Sequence, residues 1–334
     1  MSLQNKKILV TGGAGFIGSN LAIRLVEEGA RVSVLDALIP ETGANPLNLL
    51  PVKEQIQNYQ RNLLDNDGLG EIIKGQDIIF NLVGQVSHQD SLSNPKWDME
   101  INVAAQLNLL EACRLYNPSV VIVYTSTRQV YGIPQYLPVD EKHPVSPVDF
   151  NGVSNLAGEQ YHSLYFKIFN IKTVSLRLTN TYGPRQLIKH NRQGFLGWFA
   201  NRAILGKPIY LYGGGEQVRD LNYVDDVVEA LILASQTEDC FGKTFNLSGK
   251  PFNLNSIAEQ FIRITGKGEI KFKDFPEELK KIDIGNYYGS SELFFQKTRW
   301  RPKVDLTEGL EKTIHFFQAH LVDYLGNEYA DSLL

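Results

Sequence analysis

The segment that most restricts what this chain can fold into is "KKILVTGGAGFIGSNLAIRLVEEGARVSVLD", Lys6 to Asp36. A short β-branched apolar run enters a glycine-rich turn, a stretch with helical periodicity follows, and a second apolar run closes the unit. Gly12 and Gly13 permit a tight turn, Gly15 lets backbone approach a pyrophosphate, and Gly18 lets the helix pack on the strand. Phe16 and Ile17 fall in the first helical turn, where the N-terminal N–H groups face negative charge. A three-glycine turn alone is weak evidence, since its ordinary reading is a turn and nothing more. Here it is joined by Asp36 at the end of the second strand, roughly 20 residues on, where a carboxylate accepts hydrogen bonds from a ribose 2′-hydroxyl. The same charge repels the 2′-phosphate of NADP, so the expected cofactor is NAD.

The alternation continues. Strands are expected in "DIIFNLVG", "SVVIVYTST" and "IKTVSLRLTN", and helices in "WDMEINVAAQLNLLEACRLY" and "SNLAGEQYHSLYFKIF". This order predicts an α/β fold, a Rossmann-type doubly wound parallel sheet, over residues 1–182. From residue 183 the texture changes to Gly-, Arg- and aromatic-rich segments, and residues 183–334 are expected to form a smaller, interwoven C-terminal α/β substrate lobe. Its helices are "NYVDDVVEALILASQ", "NLNSIAEQFIRITG" and "TEGLEKTIHFFQAHL", the last with a Thr cap.

Composition narrows the function. The 334 residues carry a formal charge of −4, with Lys and Arg scattered, so no basic footprint for nucleic acid or an anionic membrane is expected. Cys113 and Cys240 lie too far apart in sequence for a disulfide framework or a metal-ligand cluster, and no metal site is expected. No run reaches the roughly 18 apolar residues of a membrane span, and "MSLQNKKILV" holds no signal-like apolar core; a cytoplasmic protein is expected.

Taken together, "TGGAGFIG", "NLVGQVSHQDSLSNP", "INVAAQLNLLEAC", "TSTRQVYG", "RLTNTYGPRQ", "GGGEQVRDLNYVDDVVEAL" and "RWRPKVDLTEGLEKTI" resemble the extended short-chain dehydrogenase/reductase family of NAD-dependent sugar-nucleotide epimerases and dehydratases, over nearly the whole chain. The resemblance implies NAD in the N-terminal lobe, with Asn62 and Leu63 near the adenine; the family more often has Asp at the Asn62 position. It implies a nucleotide-diphosphate sugar under the C-terminal lobe, held by Asn180 and Arg219, with Arg185 divided between substrate loop and structure. Arg219 has a plainer reading as an ion pair with Asp220 or Asp225. The two helices of the first lobe resemble the four-helix interface of family homodimers.

The resemblance also implies a Tyr base, its pKa lowered by a Lys one helical turn later, with a Ser or Thr relay. Thr127 matches the relay. The Tyr and Lys positions are Asn151 and Asn155, carboxamides that neither take a proton nor supply a positive charge. Family 4,6-dehydratases carry an acidic pair where this chain has Arg128 and Gln129, so that elimination is not expected. His88, in the loop after "NLVG", is a candidate substitute base, against its reading as a solvated loop residue. Tyr161 and Tyr165 lie too far along the helix, and Asp149 reads as its cap. Two functions follow: an epimerase-like oxidoreductase with an atypical proton site, or a catalytically silent protein that binds NAD and a nucleotide sugar.

Overall fold

The computed structural model describes residues 2–277 and 282–326; residues 278–281 and 327–334 of the expected C-terminal lobe lie outside the described residues. Strand β1 (Lys7–Thr11) leads through the glycine turn into α1 (Phe16–Glu27), then β2 (Arg31–Asp36) and β3 (Gln57–Gln60). After α2 (Leu69–Ile73) and β4 (Ile78–Asn81), short helices α3 (His88–Ser93) and α4 (Pro95–Met99) run through a π turn into α5 (Ala105–Tyr116). β5 (Val121–Thr127), α6 (Phe150–Phe169), β6 (Lys172–Leu178) and β7 (Asn180–Tyr182) follow. The later chain contributes α7 (Phe195–Ile204), β8 (Ile209–Tyr212), β9 (Val218–Tyr223), α8 (Val224–Gln236), β10 (Lys243–Leu247), β11 (Lys250–Asn253), α9 (Leu254–Thr265) and β12 (Ile270–Lys273).

Seven strands form one parallel sheet in the order β10-β6-β5-β4-β1-β2-β3. β1 pairs with β2 on one side, Val10 opposite Val34, and with β4 on the other, Val10 opposite Phe80. The connections therefore diverge between β1 and β4, the crevice where doubly wound sheets bind ligands. The strands are apolar on both faces because both are covered. Ile8, Val10, Val34 and Phe80 pack with α1 and α8, whereas Leu9, Leu35 and Ile79 pack with α2 and α5.

The chain after residue 182 does not stay apart from this sheet. α8 packs against α1, and β10 supplies the seventh strand beside β6. Beside it stand a three-stranded sheet, β11-β9-β7, whose β7 comes from just before residue 183, and the pair β12-β8. Caps fall where short polar side chains precede helices: Asp149 accepts from Gly152 N–H at 2.7 Å and Asn253 from Ser256 N–H at 2.7 Å. The helix Leu306–Ala319 corrects one expectation, because its cap is Asp305, accepting from Glu308 N–H at 2.9 Å, and Thr307 lies inside the first turn. Asp reaches the free N–H there, while the Thr307 hydroxyl donates to Gln260.

Candidate active site

The cleft opens at the C-terminal ends of β1 and β4. Gly12 sits at φ +68°, and a Cβ there would come within 2.8 Å of the Leu82 carbonyl oxygen; at Gly18 a Cβ would run into the carbonyl of Gly12. Both positions hold the turn against the neighbouring strand and the helix, as the spacing predicts. Gly15 is the N-cap of α1 and offers no side chain to its N–H groups, which are left to a ligand. Gly12, Gly15, Phe16, Ile17 and Gly18 all line a cavity of about 280 Å³.

A smaller adjoining pocket is lined by Asp36, Asn62 and Leu63. Asp36 is 8% exposed; its Oδ2 accepts from Ala14 N–H at 3.0 Å and its Oδ1 from Leu38 N–H at 2.9 Å. Burial pushes its pKa up, against the pull of those two bonds. The carboxylate is therefore fixed at the rim of the turn with lone pairs to spare. Asn62 Oδ1 accepts from Leu64 N–H at 3.0 Å, so its NH₂ is the freer end.

At the other end of the larger cavity stand Thr127, Asn151, Asn155 and His88. Thr127, at the end of β5, accepts from Gln129 N–H at 3.2 Å. Asn151 and Asn155 occupy the first turns of α6, with 2% and 8% exposure. Asn151 Nδ2 donates to the Gln85 carbonyl at 2.7 Å and to Asp98 Oδ1 at 3.1 Å; Asn155 Nδ2 donates back to the Asn151 carbonyl at 2.9 Å. Asn102 ties in from the π turn, accepting from Gln85 N–H and donating to Asp98 Oδ1. Behind them Asn81 Nδ2 donates to Gln106 Oε1 at 2.6 Å. The result is a buried lattice of carboxamides around one carboxylate, Asp98, whose pKa burial raises.

His88 is the titratable group that faces the cavity from α3. Its Nδ1 is 2.8 Å from Asp149 Oδ2, and Gln129 Nε2 is 3.1 Å from its Nε2. Asp149 is buried, which alone would raise its pKa, but the hydrogen bond from His88, with the Gly152 N–H, holds it below the usual carboxylate range. This network assigns the proton to Nδ1 and leaves Nε2 as the acceptor. Asp149 thus both caps α6 and orients His88.

A third cavity, of about 350 Å³, shares His88 and Val86 with the first and is lined by Arg128, Asn180, Arg219 and Asp283. Asn180 donates to the Asp220 carbonyl at 3.1 Å. Arg219 Nη2 is 3.7 Å from Asp283, while neither Asp220 nor Asp225 is its ion-pair partner among the described residues. Burial, then the charge of Arg128, lowers its pKa to about 10. Arg185 is not brought to these cavities: at φ +71° its guanidinium donates to Asn20 at 2.9 Å and lies over Phe316. Tyr165 is buried against α5, donating to Glu111. Gln85 and Asp98 were invisible in the sequence as site residues, since each acts on Asn151, tens of residues away, and the contact of Gln129 with His88 was likewise hidden. Among the described residues no group of three or more His, Cys, Asp or Glu could hold a metal, and no helix is long and apolar enough to cross a membrane.

Residues 8–248 match the family model described as the NAD dependent epimerase/dehydratase family. A putative UDP-glucose 4-epimerase of Methanocaldococcus jannaschii is 33% identical over 93% of this chain and 98% of its own. A CDP-paratose 2-epimerase of Salmonella typhi is 31% identical over 92% of this chain and 97% of its own. The crystal structure of Thermus thermophilus UDP-glucose 4-epimerase with NAD is 32% identical, covers 93% of this chain and 99% of that one, and superposes with a TM-score of 0.83. This chain therefore belongs to the NAD-dependent epimerase/dehydratase family, and NAD is its cofactor.

Proposed function

We propose that the protein is a nucleotide-sugar epimerase-type oxidoreductase in which a His88–Asp149 pair does the proton work usually given to a tyrosine. The observation that carries this reading is the 2.8 Å contact from His88 Nδ1 to a buried, ionised Asp149, with His88 on the wall shared by two cavities. Gly12, Gly15, Phe16, Ile17 and Gly18 would hold the pyrophosphate, Asp36 the adenosine ribose, and Asn62 and Leu63 the adenine. Asn180 and Arg219 would hold the sugar diphosphate. NAD, when bound, supplies the acceptor and later the donor of hydride.

In this reading the substrate hydroxyl displaces the Gln129 amide at His88 Nε2. As its carbon gives up hydride, the hydroxyl proton passes to Nε2, and Asp149 stabilises the imidazolium. The Thr127 oxygen already accepts from Gln129 N–H, so its own hydrogen is free for the reacting oxygen. Return of hydride to the opposite face of the keto sugar, with the proton from His88, completes an inversion. Asn151 and Asn155 stand at the tyrosine and lysine positions and position α6, without moving a proton.

A second reading rests on the carboxamide lattice: with both amides spent on Gln85, Asp98 and Asn151 itself, the site is built to stay as it is, as in a silent NAD and nucleotide-sugar binder. Purified protein incubated with NAD and UDP-, dTDP-, GDP- and CDP-sugars separates the two. Epimerised product by chromatography, lost in His88→Ala, supports the first; binding without product, with turnover gained in the Asn151→Tyr/Asn155→Lys variant, supports the second. We further propose a homodimer through α5 and α6, where Leu115, Tyr116, Leu164 and Ile168 are exposed apolar side chains. Light scattering at the mass of one chain would remove it.

A further inference from the structure

We propose that Arg128 reads a carboxylate on the sugar, so that the preferred substrate is a nucleotide-linked uronic acid; this rests on the reading of His88 as the group at the reacting carbon.

Arg128 follows Thr127 at the end of β5 and lines the same cavity as His88 and Arg219. Its guanidinium lies over the Tyr287 ring, 4.9 Å from the centroid, and Nη1 donates to Gln129 Oε1 at 2.9 Å. Among the described residues it has no carboxylate within ion-pair distance, whereas Arg219 has Asp283 at 3.7 Å and two backbone carbonyls. The charges of Asp220, Asp149 and Asp283 reach Arg128 only from beyond ion-pair distance, and burial still lowers its pKa, so an anionic ligand in the cavity would be its first direct carboxylate or phosphate partner. That the two arginines feel each other is seen in Arg219, whose pKa burial lowers and the charge of Arg128 lowers further.

Position decides which anion. One carboxamide, Gln129, joins Arg128 to His88: Oε1 takes the Arg128 N–H and Nε2 contacts the His88 ring at 3.1 Å. If His88 meets the reacting hydroxyl, Arg128 stands about one substituent away on the sugar ring, the reach of a carboxylate on the adjacent carbon. Arg219 approaches the cavity from β9, on a different strand and beside Asn180, and is the arginine placed for the diphosphate. A planar guanidinium matches a carboxylate with paired N–H donors, which lysine could not do.

The test is calorimetric titration of the NAD-loaded protein with UDP-glucose and UDP-glucuronate, and with GDP-mannose and GDP-mannuronate. At least one uronate should bind about tenfold tighter than its neutral parent. In Arg128→Met that preference should fall to about one, and in Arg128→Lys to an intermediate value. Equal binding of uronate and parent by the wild type overturns the proposal, as does an Arg128→Met variant that weakens both by the same factor, the mark of a diphosphate contact. If no nucleotide sugar of either series binds while NAD does, it is the nucleotide-sugar reading itself that fails.

Discussion

At the glycine end of the cleft the wall is backbone: the positive φ of Gly12, the contact of Gly18 with the Gly12 carbonyl, and the uncapped N–H groups of α1 leave few atoms that could be exchanged. At the opposite end the wall is side chains. Asn151, Asn155, Gln85, Asn102 and Asp98 hold one another, and His88 reaches Asp149 across 61 residues of sequence. The first kind of wall is backbone in close contact with backbone, suited to the pyrophosphate we propose it holds, and tolerates little substitution. The second kind can be rebuilt around a new proton carrier, because each member needs only a partner of complementary polarity.

The contrast can be broken most sharply at His88. His88→Ala is expected to lower turnover by about 10³, within the usual worth of a general base, while NAD affinity by fluorescence titration changes less than about twofold. A variant that loses NAD along with turnover would mean that the two ends are not separable. Next comes acid stability. His162, buried on α6 and stacked on Tyr124 at 4.2 Å, has its pKa lowered by burial from 6.5 to about 4. The unfolded chain therefore binds a proton between pH 6.5 and 4 that the folded one does not, and stability falls as pH drops through that window, by up to about 3 kcal/mol. Denaturant melts at pH 7 and pH 4.5 should show that loss, and His162→Phe should flatten its share of it.

Gly18→Val should cost about 2 kcal/mol of NAD affinity, since the Gly12 carbonyl must shift to admit the side chain. Retained affinity would show that this wall yields after all. The smallest effect is expected from Asp36→Asn: about a tenfold loss for NAD, a smaller loss for NADP, and hence a narrower preference, measured by parallel titrations.

The seven-stranded sheet and the glycine end were legible because their determinants are local. Spacing within Lys6–Asp36 specifies strand, turn, helix and carboxylate, and each fell where its neighbours required it. The reaction end was legible only as a departure from expectation. His88 and Asp149 could be named separately, but their pairing depends on α3 and α6 meeting in space. Arg128 was visible as a cation where family 4,6-dehydratases carry an acid; its nearness to Arg219, far along the chain on β9, was not. Arg185 shows the converse, a residue in a ligand-like motif whose positive φ and neighbours Asn20 and Phe316 turn it to a structural use.

The placement of β10 has a consequence for how this chain is made. Until Leu247 has left the ribosome, β6 is an open edge with its backbone donors and acceptors unpaired and Val174 and Leu176 beside a vacant flank. The nascent chain must carry that edge through the synthesis of about seventy further residues, at a rate of about 5–20 residues per second, which is a window of seconds in which a second copy could pair instead. A fragment that stops at residue 182 should therefore aggregate more than one that runs through 248, which pairs the β6 edge although it still lacks the part of the core contributed by residues 257–317.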